Sequence, residues 1–254
     1  MADPELGRNE YLKAHIPGAV YANLDEDLCG PVIPGVTGRH PLPAVLDFLR
    51  TLSGWGIGDG VQVIAYDDAG GSMAAARLWW MLQWLGHSGA AVLNGGWQRW
   101  QSENLPVRPG VEKRSARRFQ ARIQPERVVD STGLEAALKD KELRIIDVRA
   151  GERYRGEVEP LDPVAGHIPG AISVPYTDTL EPGGSFKSPE VLRAGFSSLL
   201  REIPAERAIF YCGSGVTAAQ SVLALAHSGL GQAKLYAGSW SEWITDPGRP
   251  IATG

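Results

Sequence analysis

"AIFYCGSGVTAAQSVLAL", residues 208–225, reads as three pieces in a row: an apolar run ending at Cys212, a turn containing Gly213 and Gly215, and a helical pattern over 216–227. Ser228-Gly229 closes that helix. The same order of pieces occurs earlier, in "VIAYDDAGGSMAAARLWWML" (63–82). Two more segments are doubled in the same order. "HIPGAV" (15–20) returns as "HIPGAI" (167–172), and "LNGGWQRW" (93–100) as "LYAGSWSEW" (235–243). Three matches in one order describe a single unit written twice.

Each copy alternates short apolar runs with helical patterns. In the second copy, strands are expected at 143–149, 171–175, 208–212 and 233–238. Helices are expected at 134–139, 189–200 and 216–227, the first capped by Asp130, Ser131 or Thr132. Strands alternating with helices predict an α/β fold, a parallel sheet flanked by helices, in each copy. The stretch 106–129 is rich in Pro, Arg and Lys without apolar periodicity. The expected division is a first domain over 1–107, a linker over 108–127 and a second domain over 128–254. Only fourteen residues precede His15. A helix and strand equivalent to 134–149 do not fit there, so the first domain is expected to be truncated at its start.

The bulk properties exclude several classes. The 254 residues are 43% apolar and 21% charged, with a formal net charge of −4. Nothing there favours nucleic acid or an anionic membrane as partner. The most apolar stretch, 74–85, is interrupted by Arg77 and Gln83, and no run is long enough to span a bilayer. "MADPELGRNE" does not read as a secretory signal. Cys29 and Cys212 are the two cysteines, too few for a disulfide framework and in no metal-ligand spacing. A reduced, cytoplasmic protein without a metal is expected.

The copies differ at one chemically telling position: Cys212 in the second stands where Asp67 stands in the first. One reactive centre is therefore expected, with the first domain as scaffold. Glycines at 213 and 215 let the loop curl so that successive N–H groups converge. The following helix adds the free amides and positive dipole end of its N-terminus. Such a nest favours an anion, whether a thiolate or a persulfide. Cys29 has no such setting and reads as a packed small residue. A phosphatase would need an arginine six residues past the cysteine, and that position is Ala218.

The paired "HIPGA" segments, "IIDVR" (145–149), the aspartate in place of cysteine in the first copy and "GSWSEW" (238–243) together resemble the two-domain rhodanese family of sulfurtransferases. "CGSGVTA" (212–218) is similar to the active loop of its mercaptopyruvate-using members. The resemblance implies that Cys212 takes a sulfur atom from a small anionic donor as a persulfide. It then delivers that sulfur to cyanide, a small thiol or a protein thiol, with no cofactor. It implies Arg153 as a donor-binding residue, with Gly213, Gly215, Val216 and Thr217 forming the cradle. It also implies that Ser214, His40 and Asp25 assist catalysis, with Asp27 as a substitute for Asp25. Asp147 and Arg149 are expected to form a structural ion pair. His15 and His167 are expected to organise their turns. Thiosulfate-preferring members place cations after the cysteine, where this chain has Gly213 and Ser214. Mercaptopyruvate enzymes carry a second arginine before the "GHIPG" segment, and 156–170 has none. Thiosulfate as donor, and a persulfide carrier that loads once without turnover, are the alternatives. A contact between Ser214 and His40 would place the active site in the cleft between the domains.

Overall fold

The computed structural model describes residues 5–254, so the first four residues of the leader reading lie outside the described residues. The first domain contains α1 (Leu6–Lys13), α2 (Leu24–Asp27), α3 (Val45–Gly54), β1 (Val63–Ala65), α4 (Ala74–Trp84), β2 (Ala90–Val92) and α5 (Gly96–Ser102). The second contains β3 (Val128–Val129), α6 (Ser131–Ala137), β4 (Arg144–Asp147), α7 (Gly151–Tyr154), β5 (Ile172–Ser173), α8 (Pro189–Leu200), β6 (Ala208–Tyr211), α9 (Thr217–His227), β7 (Lys234–Tyr236) and α10 (Ser239–Trp243).

The second sheet has the order β3-β7-β6-β4-β5, and every pairing is parallel. β6 lies at its centre with all four residues buried, which is why its sequence is apolar without alternation. The expected strands are all present but shorter. β4 ends at Asp147, although the Val148 N–H still donates to the Tyr211 carbonyl at 3.0 Å, and the edge strand β3 was not anticipated. The first helix starts three residues earlier than expected, because Asp130 is its cap and accepts the Gly133 N–H at 2.7 Å. Ser131 is instead engaged by Arg249 Nη2. In α8, Pro189 occupies the first turn, while Leu192, Phe196 and Leu200 recur every four residues on the buried face.

The same turn is built in both domains. His15 stacks on Tyr11 and bonds its carbonyl through Nδ1, and His167 does the same with Tyr154. The Ile16 N–H donates to the Tyr66 hydroxyl, and the Ile168 N–H to the Tyr211 hydroxyl. These contacts explain why "HIPGA" and the strand-end tyrosine travel together in the sequence.

The segment expected to link the domains lies along the first domain. The N–H groups of Arg117, Arg122 and Gln124 donate to the carbonyls of Ser53, Leu85 and Trp84, and Phe119 is buried. The two domains also share a core. α4 and α9 pack on each other, and Leu78, Trp80, Ala218, Ala219 and Val222 belong to one buried cluster. Burial of each large side chain there contributes about 1.5–3 kcal/mol.

The first sheet is small: among the described residues it holds β1 and β2 alone, paired in parallel. In the second domain β6 has a neighbour on each side, whereas β1 has one, and a cavity of about 960 Å³ opens beside it, lined by Val63, Ile64 and Leu78. Unpaired strand edges open more readily. Amides of 63–65 and 90–92 are therefore expected to exchange at least about tenfold faster than those of β4 and β6 in hydrogen-exchange mass spectrometry. Equal protection of the two sheets would contradict this reading.

Candidate active site

β6 ends at Tyr211, and Cys212 begins the loop that leads into α9. The Cys212 N–H donates to Ser239 Oγ (3.1 Å), and its carbonyl accepts from the Trp240 N–H (3.0 Å). The "GSW" stretch thus fixes the backbone of the Cys212 loop. Gly215 has φ +79°, and the Ala237 carbonyl occupies the space a Cβ would need, so glycine is required there. With that turn made, the Gly215 N–H points at Cys212 Sγ from 3.1 Å. Cys212 is buried, 3% exposed. The amides of Gly213, Ser214, Val216 and Thr217 meet no protein acceptor among the described residues.

The first domain displays what such a loop binds. Asp67 fills the corresponding position, and its carboxylate accepts four backbone N–H groups, from Ala69, Gly71, Met73 and Ala75, at 2.7–3.1 Å. Converging amides around a fixed carboxylate are an anion site occupied by the chain itself.

Ser214 lies across the domain boundary from His40. Its Oγ is 2.7 Å from His40 Nδ1, and His40 Nε2 is 3.2 Å from Asp25 Oδ1. Asn23 caps α2 by accepting the N–H groups of Asp25 and Glu26, and this holds Asp25 in place. Asp27 turns away and accepts the Asn23 N–H, so Asp25 and not Asp27 faces His40. Burial lowers the His40 pKa below the ordinary imidazole value, with the Asp25 carboxylate opposing it. Neutral His40 with Nε2–H on Asp25 leaves Nδ1 free to accept the Ser214 hydroxyl.

Arg153 projects from α7 with Nη2 2.6 Å from Glu159 and 3.2 Å from Asp162. Both carboxylates come from the acidic segment 156–170, and both are buried. Arg149 pairs with Asp147 at 2.6 Å, also reaches Glu159, and stacks over Trp240. The acidic residues that replace the looked-for arginine thus hold the guanidiniums that are present.

Sequence reasoning missed two arginines. Arg39 ion-pairs with Asp162 and stands over Gly213, so cations do flank Cys212 although none follows it in the chain. Its signal was its place beside His40 in "GRHPLP". Arg77 is wholly buried in α4 and donates to the carbonyls of Gly215 (3.1 Å) and His40 (2.9 Å), tying the Cys212 loop to the His40 segment. Its Nε has no partner and no carboxylate neutralises it among the described residues. Burial lowers its pKa from the usual arginine value, while Cys29 and Cys212 oppose that shift. An arginine on the buried side of a helix that is apolar apart from Gln83 was the available clue. Cys29 is buried as expected, and burial pushes its thiol up to about 11.

Among the described residues no helix is long and apolar enough to cross a membrane. The profile of the rhodanese-like domain matches twice, over residues 7–103 and 131–246. A Pseudomonas aeruginosa protein named probable 3-mercaptopyruvate sulfurtransferase is 47% identical over 100% of this chain and 89% of its own length. A Mycobacterium tuberculosis protein, named provisionally as thiosulfate sulfurtransferase SseB, is 37% identical over 99% of this chain and 88% of its own. The crystal structure of the 3-mercaptopyruvate sulfurtransferase SseA from Escherichia coli superposes with a TM-score of 0.78 at 36% identity, covering 92% of this chain and 86% of that one. With both copies matched and the full length aligned, the chain belongs to the rhodanese-like family, as a two-domain sulfurtransferase.

Proposed function

We propose that the chain transfers sulfur from 3-mercaptopyruvate, through a persulfide on Cys212, to a small thiol, a protein thiol or cyanide, in the cytoplasm. The observation that carries this reading is the line of Ser214, His40 and Asp25 beside the nucleophile. The Cys212 thiolate attacks the donor's sulfur, the C–S bond breaks, and its electron pair remains on the departing enolate of pyruvate. The donor's thiol proton passes through Ser214 Oγ to His40 Nδ1 and returns by the same route to the enolate carbon. The products are pyruvate and a Cys212 persulfide anion, and no proton is gained or lost overall. The acceptor then takes the outer sulfur and restores the thiolate. The Gly215 amide holds Cys212 Sγ, and the unpartnered amides around it support the charge on the outer sulfur.

Thiosulfate leaves as sulfite, which needs no proton, so this relay gives it nothing. The arginines at the loop could hold its sulfonate, which makes it the second reading. The deciding measurement is kcat/KM for the two donors with excess thiol acceptor. We expect at least a ~10-fold preference for 3-mercaptopyruvate, within the range a proton relay supplies. A preference for thiosulfate would overturn the donor. Loading of a single sulfur without turnover would make the protein a carrier.

A further inference from the structure

We propose that Arg39, from the first domain, and Arg153, from the second, form one clamp for the donor's carboxylate. This rests on the reading of Cys212 as the nucleophile for a small thiol-bearing 2-oxo acid.

The segment carrying Arg39 is docked firmly on the second domain. A Cβ on Gly38 would lie 2.6 Å from the Gly238 carbonyl oxygen and 2.7 Å from Ser241 Oγ, and the Arg39 N–H donates to the same Ser241 oxygen at 3.0 Å. Its guanidinium meets Asp162, whose other oxygen is 3.2 Å from Arg153 Nη2. The Asp162 side chain is 2% exposed and that of Glu159 4%, so both carboxylates sit behind the guanidiniums they hold. On the opposite side each arginine retains a donor without a protein acceptor among the described residues, Nη2 of Arg39 and Nη1 of Arg153. Both groups converge on Gly213. A Cβ there would lie 2.8 Å from Arg39 Nη2 and 3.5 Å from both terminal nitrogens of Arg153. Gly213 is the residue after Cys212, so the bare glycine leaves room for two guanidiniums beside the sulfur. The two free terminal nitrogens, one from each arginine, match the two oxygens of a carboxylate. The carboxylate of a short thiol-bearing acid held there would leave its sulfur within reach of Cys212.

Two measurements test this. In steady-state kinetics, Arg39→Gln is expected to raise KM for 3-mercaptopyruvate ~10–100-fold while kcat changes less than ~3-fold, the pattern of lost ground-state binding. Arg39→Lys retains a charge without the fork and should recover part of the loss. The second readout does not depend on the donor. Alkylation of Cys212 by anionic iodoacetate, relative to neutral iodoacetamide, is followed by mass spectrometry of the peptide carrying Cys212. The ratio is expected to fall at least ~10-fold in Arg39→Gln, a change that a loosened loop would not produce because it would affect both reagents alike. An unchanged ratio in Arg39→Gln would overturn the clamp. A wild-type protein that ignores 3-mercaptopyruvate, yet loses its iodoacetate preference in Arg39→Gln, would overturn the donor assignment and leave the clamp standing.

Discussion

Replacement of Cys212 by serine is expected to lower sulfur transfer at least ~10⁴-fold with every donor, the scale seen when a covalent nucleophile is removed. The exchange is nearly isosteric, and the Gly215 N–H at Sγ can donate equally to a hydroxyl. The fold should therefore survive, with Tm within about 4 °C of the parent. Mass spectrometry after donor treatment should find one added sulfur on the wild type, on the peptide carrying residue 212, and none on Cys212→Ser. Cys29 provides an internal control. Its thiol is buried and pushed up to about 11, so little thiolate exists near neutrality. A persulfide on Cys29 would refute the assignment of the nucleophile.

Ser214→Ala and His40→Ala are each expected to reduce kcat with 3-mercaptopyruvate ~10²-fold or more, while kcat with thiosulfate changes far less. The two residues act on one proton, so the double variant should lose little beyond either single one. Asp25 lies largely in water at the far end of the line, and its loss should cost less than about tenfold because solvent screens the pair. The pH profile follows from the direction of the His40 shift. The relay needs neutral His40, and burial holds its pKa below the ordinary value. Turnover with 3-mercaptopyruvate should be flat through neutrality and fall only as pH drops below the usual imidazole range. His40→Ala should lose this acid limb. Equal losses with both donors in both variants would reduce Ser214 to a residue that shapes the loop.

Much of the architecture was legible because the chain repeats itself. Strand, glycine turn and helix at 63–82 and 208–225 gave the two domains, and the buried run of β6 gave a parallel sheet. The edge strand β3, Val128–Val129, carries too few residues to announce itself by periodicity, whereas β5 was found within the expected run 171–175. In the site, Cys212 stood out because its local setting is contiguous in sequence. Arg39 and Arg77 were hidden because their meaning depends on a partner about 120–140 residues away, Asp162 and Gly215 respectively. Arg39 lies in the other domain from Gly213, and no rule of spacing carries a residue across an interface.

The sharing of one site between two halves has a genetic consequence. Asp25, Arg39, His40 and Arg77 belong to the copy that has Asp67 at the loop position, while Cys212, Ser214 and Arg153 belong to the other. Null alleles are therefore expected to map to both halves of the gene. A defect in either should be rescued by supplying the intact half as a separate polypeptide, provided that α4 and α9 can find each other again. Both halves are thus expected to be needed together, because Ser214 beside Cys212 meets His40 only across the domain boundary.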